Sequence, residues 1–301
     1  MSHAKNIFFA TLVAFVAISL SACGGSGGGG GGNLNPRSDD VLQGEADTAA
    51  TNSGLTDFTA VSADNVVAAS DQIDSVSMML EDLVSDSAGI LDPNALRASS
   101  LTAAKMGQLR VLLNKRMAAL GESVGQNAQF AGENMDETYP LDESVTCYGG
   151  GTATVTGTIQ IKYTVTGSAT SAKITYSTDA TDVSYTLDAC SDGITTVWGT
   201  LLENGKEKGS STISESSWTF KGDGTFVTDG GLAWTSAGVN YNAKFSITGS
   251  HSSAGSLNIS TFEEEYTSFK VDLTMKVNDV TCTFSSTDPA VMDEAPAWSC
   301  S

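Results

Sequence analysis

The sequence predicts a mainly β protein: an antiparallel meander forming a sandwich or an open barrel, preceded by an antiparallel α-helical hairpin. Three observations carry this. Near residue 145 the spacing of apolar residues changes from a helical period to strict alternation. Turn-forming pairs recur between the alternating runs. No segment between those runs is long and helical enough for a parallel crossover.

In chain order, residues 1–22 carry Lys5 and then the apolar run "IFFATLVAFVAISL", shorter than the roughly 20 residues of an ordinary membrane span. This reads as a secretory signal. Residues 23–61 follow as a flexible tether, opening with "CGGSGGGGGGN", because glycine has no side chain to pack and the most backbone entropy to lose. As a coil, some 35 residues of tether reach about 30–35 Å on average.

Residues 62–121 read as the helical hairpin. Val66, Ala69, Ile73, Val76, Leu80 and Leu83 form one stripe behind a Ser62 cap, and Met106, Leu109, Leu113, Met117 and Leu120 form another, stopped by Gly121. Acidic residues on the first helix, Asp71 and Glu81 among them, face basic ones on the second, including Lys105 and Arg110. Surface pairs contribute only ~0–1 kcal/mol each, so burial of the stripes must hold the hairpin together. A polar linker containing Pro140 spans 122–144.

The β domain spans 145–301. In "TATVTGTIQIKYTVT", Ala153, Val155, Ile159, Ile161, Tyr163 and Val165 share one face, and Gly157 leaves room for a bend. Alternation recurs at Val183–Leu187, Trp218–Phe220, Tyr241–Ile247 and Phe269–Val277. Asn204-Gly205, Asp223-Gly224, Gly230-Gly231 and Asn278-Asp279 read as the turns between about eight to ten strands.

Composition narrows function. With 35 acidic against 15 basic residues the formal charge is −20, which repels a phosphate backbone, so no nucleic-acid partner is expected. Of the two histidines, His3 lies in the signal, leaving His251 as the sole imidazole of the exported chain. It sits in "GSHSSAG", which reads as a polar hairpin turn rather than a nucleophile beside its base. "GGSGG" matches a nucleophile-elbow pattern without the strand-turn-helix setting that gives it meaning. Asp188 with Asp192, and Glu263–Glu265, read as solvated loop charge, and "STDATD" and the Asp288/Asp293 pair lack a calcium-loop pattern. With no C-x-x-C and no histidine pair, zinc is not expected. No catalytic residue, metal or cofactor is expected, and the chain does not read as an enzyme. Trp218, Trp234 and Tyr241 align with apolar neighbours as core. Trp198 falls on the face opposite Val197, Gly199 and Leu201, where it is either covered by the helical hairpin or a candidate contact for a protein or glycan partner.

Leu20-Ser21-Ala22-Cys23 resembles the lipobox of bacterial lipoproteins. The resemblance implies a diacylglyceryl thioether on Cys23, cleavage before it and an acylated amino terminus, with the lipid bilayer as partner. Gly24 in place of Asp is what outer-membrane sorting looks like in the enteric type. Removing Cys23 from the five cysteines leaves an even set of four, suited to an oxidising compartment. "CYGGGTATVTG" and "YTLDACSDGITTVWGTL" also resemble a recurrent, poorly characterised β module of bacterial lipoproteins. That resemblance suggests pairing Cys147 with Cys190, so that Cys282 would bind Cys300. The reading is an envelope lipoprotein with a non-enzymatic binding or structural role; the alternative is a carrier or chaperone of a hydrophobic ligand in a barrel-like cavity.

Overall fold

The computed structural model describes residues 34–73, 76, 130–168, 171–214, 217–258, 264–289 and 297–301. Its body is one antiparallel sheet of nine strands in chain order, each paired with the next: β1 (Phe130–Thr146), β2 (Thr152–Ser168), β3 (Ser171–Ser191), β4 (Thr195–Ser214), β5 (Ser217–Ser236), β6 (Val239–Asn258), β7 (Glu264–Val277), β8 (Val280–Ser286) and β9 (Ser299–Cys300). The predicted mainly β meander is therefore present, and its two edges do not pair with each other.

Cross-strand register sorts the side chains onto two faces. The inner face gathers Val155, Tyr185, Val197, Leu232, Trp234, Ile247, Leu273 and Met275 with Val66, Ala69, Ile73 and Val76 into one core. Residues 66–73 are helical, so the first stripe of the expected hairpin packs on this face, and Trp234 Nε1 donates to Gln72 Oε1 at 3.2 Å. Trp234, fully buried, stacks on Tyr241 at 5.0 Å between centroids, as their alternation predicts. Leu80, Leu83 and the whole second helix, 102–120, lie outside the described residues.

Four expectations are corrected. The stretch read as tether contains helix α1 (Asp39–Ser53). Asp39 and Asp40 favour its N-terminal dipole, Gly54 ends it in the left-handed conformation at φ 65°, and Leu42, Ala46 and Ala49 at helical spacing are buried against the outer face. Secondly, residues 130–144 of the polar linker, together with 145 and 146, form β1. An edge strand tolerates Pro140 because one row of its amides has no partner, and its acidic sequence discourages pairing with another chain. Thirdly, Asn204-Gly205, Asp223-Gly224 and Gly230-Gly231 are not turns: they lie within β4 and β5, and the strands run to 20 residues. Asn204 instead accepts the Asp182 N–H at 2.9 Å, supporting an irregularity in β3 where Asp182 takes φ 50°. Lastly, His251 is not in a hairpin turn but in the middle of β6. Of the expected turns, Asn278-Asp279 joins β7 to β8, whereas β5 and β6 are joined by Ala237-Gly238, both at positive φ.

Candidate functional site

Two places on the body bring chemistry together: the cystine end of the sheet and the lower part of its inner face. At the first, the sulfurs of Cys147 and Cys190, and of Cys282 and Cys300, stand at disulfide distance, 2.00 and 2.08 Å. These are the pairs that the β-module resemblance suggested. The glycines of "CYGGG" serve close approach: a Cβ on Gly151, at φ 76°, would come within 2.0 Å of the Ala189 carbonyl oxygen. The loop is tied down by Gly149 N–H to Ser191 O at 2.7 Å and Ser191 N–H to Gly150 O at 3.0 Å. Asp192 Oδ1 accepts the N–H groups of Ile194 and Thr195, both at 2.8 Å, so this acid shapes a turn rather than pairing with Asp188. At the far edge the tail lies back on the sheet as expected, with Ser301 and Thr281 exchanging two backbone bonds of 2.9 Å.

The second place was not legible as a site. Thr178 on β3, Glu207 on β4, Gly224 on β5 and His251 on β6 are directly opposite one another in successive pairings, forming one row across four strands. In the next row stand Tyr176, Gly209, Gly222, Ser253 and Phe269. Gly224 has no side chain, and the His251 ring lies over it: a Cβ there would meet His251 Cε1 at 2.6 Å. That lets His251 Nε2 approach Glu207 Oε2 to 3.4 Å across an intervening strand, while the Tyr176 hydroxyl donates to Glu207 Oε1 at 2.6 Å. Thr178 and Glu207 are buried. Thr178 Oγ1 and His251 Nδ1 have no hydrogen-bond partner, and Glu207 Oε2 has only the imidazole beside it.

Towards the end bearing the β4–β5 and β6–β7 connections, the same face becomes aromatic. Trp218 contacts Phe220 at 6.3 Å, Phe220 contacts Tyr266 at 5.6 Å and Tyr266 contacts Phe269 at 6.0 Å, all edge to face. Gly255 on β6 lies between Phe220 and Tyr266, and a Cβ on it would come within 2.8 Å of Phe220 Cζ. All four rings are half-buried, and Trp218 Nε1 donates to Ser211 Oγ. Trp218 thus aligns with its apolar neighbours but is less buried than Trp234. Towards the opposite end, Glu203 is buried on the inner face, and burial pushes its carboxyl from 4.5 up to about 8.

Trp198 lies on the outer face, in the row of Ala233 and Asn242, and is half-buried. Asn242 Nδ2 donates to the Ala46 carbonyl at 2.7 Å, so the helix over this face is α1; the 62–121 hairpin's first helix packs on the inner one. Here too Arg37 clips α1 to the sheet, Nε to Asp229 Oδ1 at 2.6 Å and Nη1 to Glu45 Oε1 at 2.6 Å. Cys23 lies outside the described residues. Among those described, no group of three or more His, Cys, Asp or Glu is placed to hold a metal ion. No family model, no curated protein and no solved structure matches this chain.

Proposed function

We propose that the protein is a membrane-anchored envelope lipoprotein, acylated at Cys23 and sorted to the outer membrane, whose β body has a non-enzymatic binding role.

 The observation that carries the binding role is the division of the inner face. One part is closed core around Val66, Ala69, Ile73 and Val76, and the other presents four half-buried rings beside buried polar atoms without hydrogen bonds. A purely structural face would be expected to fill and pair such groups. The lipobox Leu20-Ser21-Ala22-Cys23 supports the anchor, and the four remaining cysteines standing in two pairs suit an exported chain. Because Arg37 is already clipped to Asp229, the leash proposed between lipid and body is residues 23–36, with a mean reach of roughly 19–22 Å and a stretched limit of about 50 Å.

Mass spectrometry of the exported chain tests the anchor. A diacylglyceryl adduct on Cys23, lost together with membrane retention in Cys23→Ser, is the expected result; an unmodified thiol with the leader still attached rejects it. A second reading, a carrier or chaperone of a hydrophobic ligand, is favoured by the sheet's unpaired edges, which leave the inner face room to open. Solvent extraction of the purified protein should then release a stoichiometric apolar molecule.

A further inference from the structure

Five buried side-chain polar atoms among the described residues lack a hydrogen-bond partner, and three of them, Thr178 Oγ1, Glu207 Oε2 and His251 Nδ1, belong to a single cross-strand row. An unpaired buried polar atom costs about 1–3 kcal/mol; Thr178 Oγ1 and His251 Nδ1 have no partner and Glu207 Oε2 has only the imidazole at 3.4 Å, without a hydrogen bond, so the row calls for an occupant. Their chemistry restricts it. Glu207 Oε1 already accepts the Tyr176 hydroxyl, and Oε2 remains an acceptor. His251 Nε2 faces that carboxylate at 3.4 Å, which in the singly protonated ring puts the proton on Nε2 and leaves a lone pair on Nδ1. The threonine hydroxyl can accept as well. The row is therefore rich in acceptors, and it carries a carboxylate in a chain of net charge −20. The His251 side chain keeps 13% of its surface open, against 6% for Glu207. Phe269, in the adjoining row, begins the aromatic run through Tyr266 and Phe220 to Trp218, whose ring faces suit both an apolar body and a cation.

We propose that Thr178, Glu207 and His251 form the head-group end of a binding site for a protonated primary amine with an apolar substituent, the ammonium donating to the row and the substituent lying along Phe269, Tyr266 and Phe220. The site rests on the binding role proposed above and gives it a ligand class. A carboxylate ligand is disfavoured because its oxygens would face Glu207, and an uncharged alcohol brings a single donor to several acceptors.

The test is calorimetric titration of the full exported chain, in non-ionic detergent, with hexylammonium chloride, hexanoate and hexanol. Hexylammonium is expected to bind saturably and at least tenfold more tightly than the other two. Glu207→Gln retains an oxygen acceptor for Tyr176 but not the charge, and should weaken hexylammonium at least tenfold; Thr178→Val, a near-isosteric change, should weaken it several-fold. Circular dichroism of both variants establishes that they are folded, and Thr178→Val alone decides the matter should Glu207→Gln fail to fold. Equal or tighter binding of hexanoate or hexanol overturns the amine while leaving a binding role in place. Binding of none of the three, unchanged affinity in the folded variants, or a crystal structure grown with hexylammonium in which ordered water alone satisfies the row overturns the site. Acylation at Cys23 is read separately and is unaffected by any of these outcomes.

Discussion

Glu203 is the residue whose environment departs furthest from its chemistry. It stands in the inner-face row of Val183, Thr228 and Ile247, and its carboxyl is raised to about 8 by burial. The folded chain therefore holds a proton that the unfolded chain releases above 4.5, so this group's contribution to stability falls as pH rises from about 4.5 to 8 and is level outside that window. Glu203→Gln should remove the slope: denaturant unfolding at pH 5 and pH 8 is expected to show a gain over the parent at pH 8 that exceeds any gain at pH 5, by on the order of a few kcal/mol. An equal shift at both pH values would place the carboxyl's titration elsewhere. The alternation of β4 in sequence points to which face this residue occupies, but not to its burial, because a lone glutamate within "LLENGKEKG" reads as solvated charge. His251 illustrates the same limit. Its serine-rich surroundings carry the composition of a turn, and only register places it opposite Gly224 and within reach of Glu207.

At the scale of elements, α1 and the sheet meet through backbone rather than bulk. A Cβ on Gly231 would stand 2.1 Å from the Ala46 amide nitrogen, and the contact is flanked by the Arg37 clip to Asp229, whose side chain is 3% exposed. Gly231→Val should displace α1 and break that clip, at a cost of about 3 kcal/mol. Protease cleavage within residues 39–53, slow in the parent and fast in the variant, checks it; unchanged cleavage would mean that the helix docks by another route. Helix α1 escaped the sequence reading because only Leu42, Ala46 and Ala49 mark its buried stripe, in a segment otherwise polar. β1 escaped for a related reason: an acidic strand containing proline resembles a linker until an edge is available to it. Gly230-Gly231 has turn composition, yet it lies in β5 because small residues also serve wherever another backbone comes near.

Over the whole molecule, the two cystines close the sheet's meander at separated places, Cys147–Cys190 joining the end of β1 to β3, and Cys282–Cys300 pinning the tail to β8. With sequence separations of 43 and 18, loop entropy assigns them about 4 and 3 kcal/mol. Cys147→Ser/Cys190→Ser should thus lower stability more than Cys282→Ser/Cys300→Ser, as read by thermal unfolding without reductant; the reverse order would mean that the tail matters more to the native state than to the unfolded one. The class of the body, its antiparallel topology and its core aromatics were legible in the sequence, since alternation with a period of two directly records which side chains leave water. The cysteine pairing followed from resemblance, and the structure places both pairs. What only the tertiary structure decided was the length of the strands, the docking of α1 on one face and residues 66–73 on the other, and the gathering of Thr178, Glu207 and His251 into one row. The physical reason is that a period reports burial along one strand, whereas a site is made by register between strands, which depends on pairings between residues far apart in the chain.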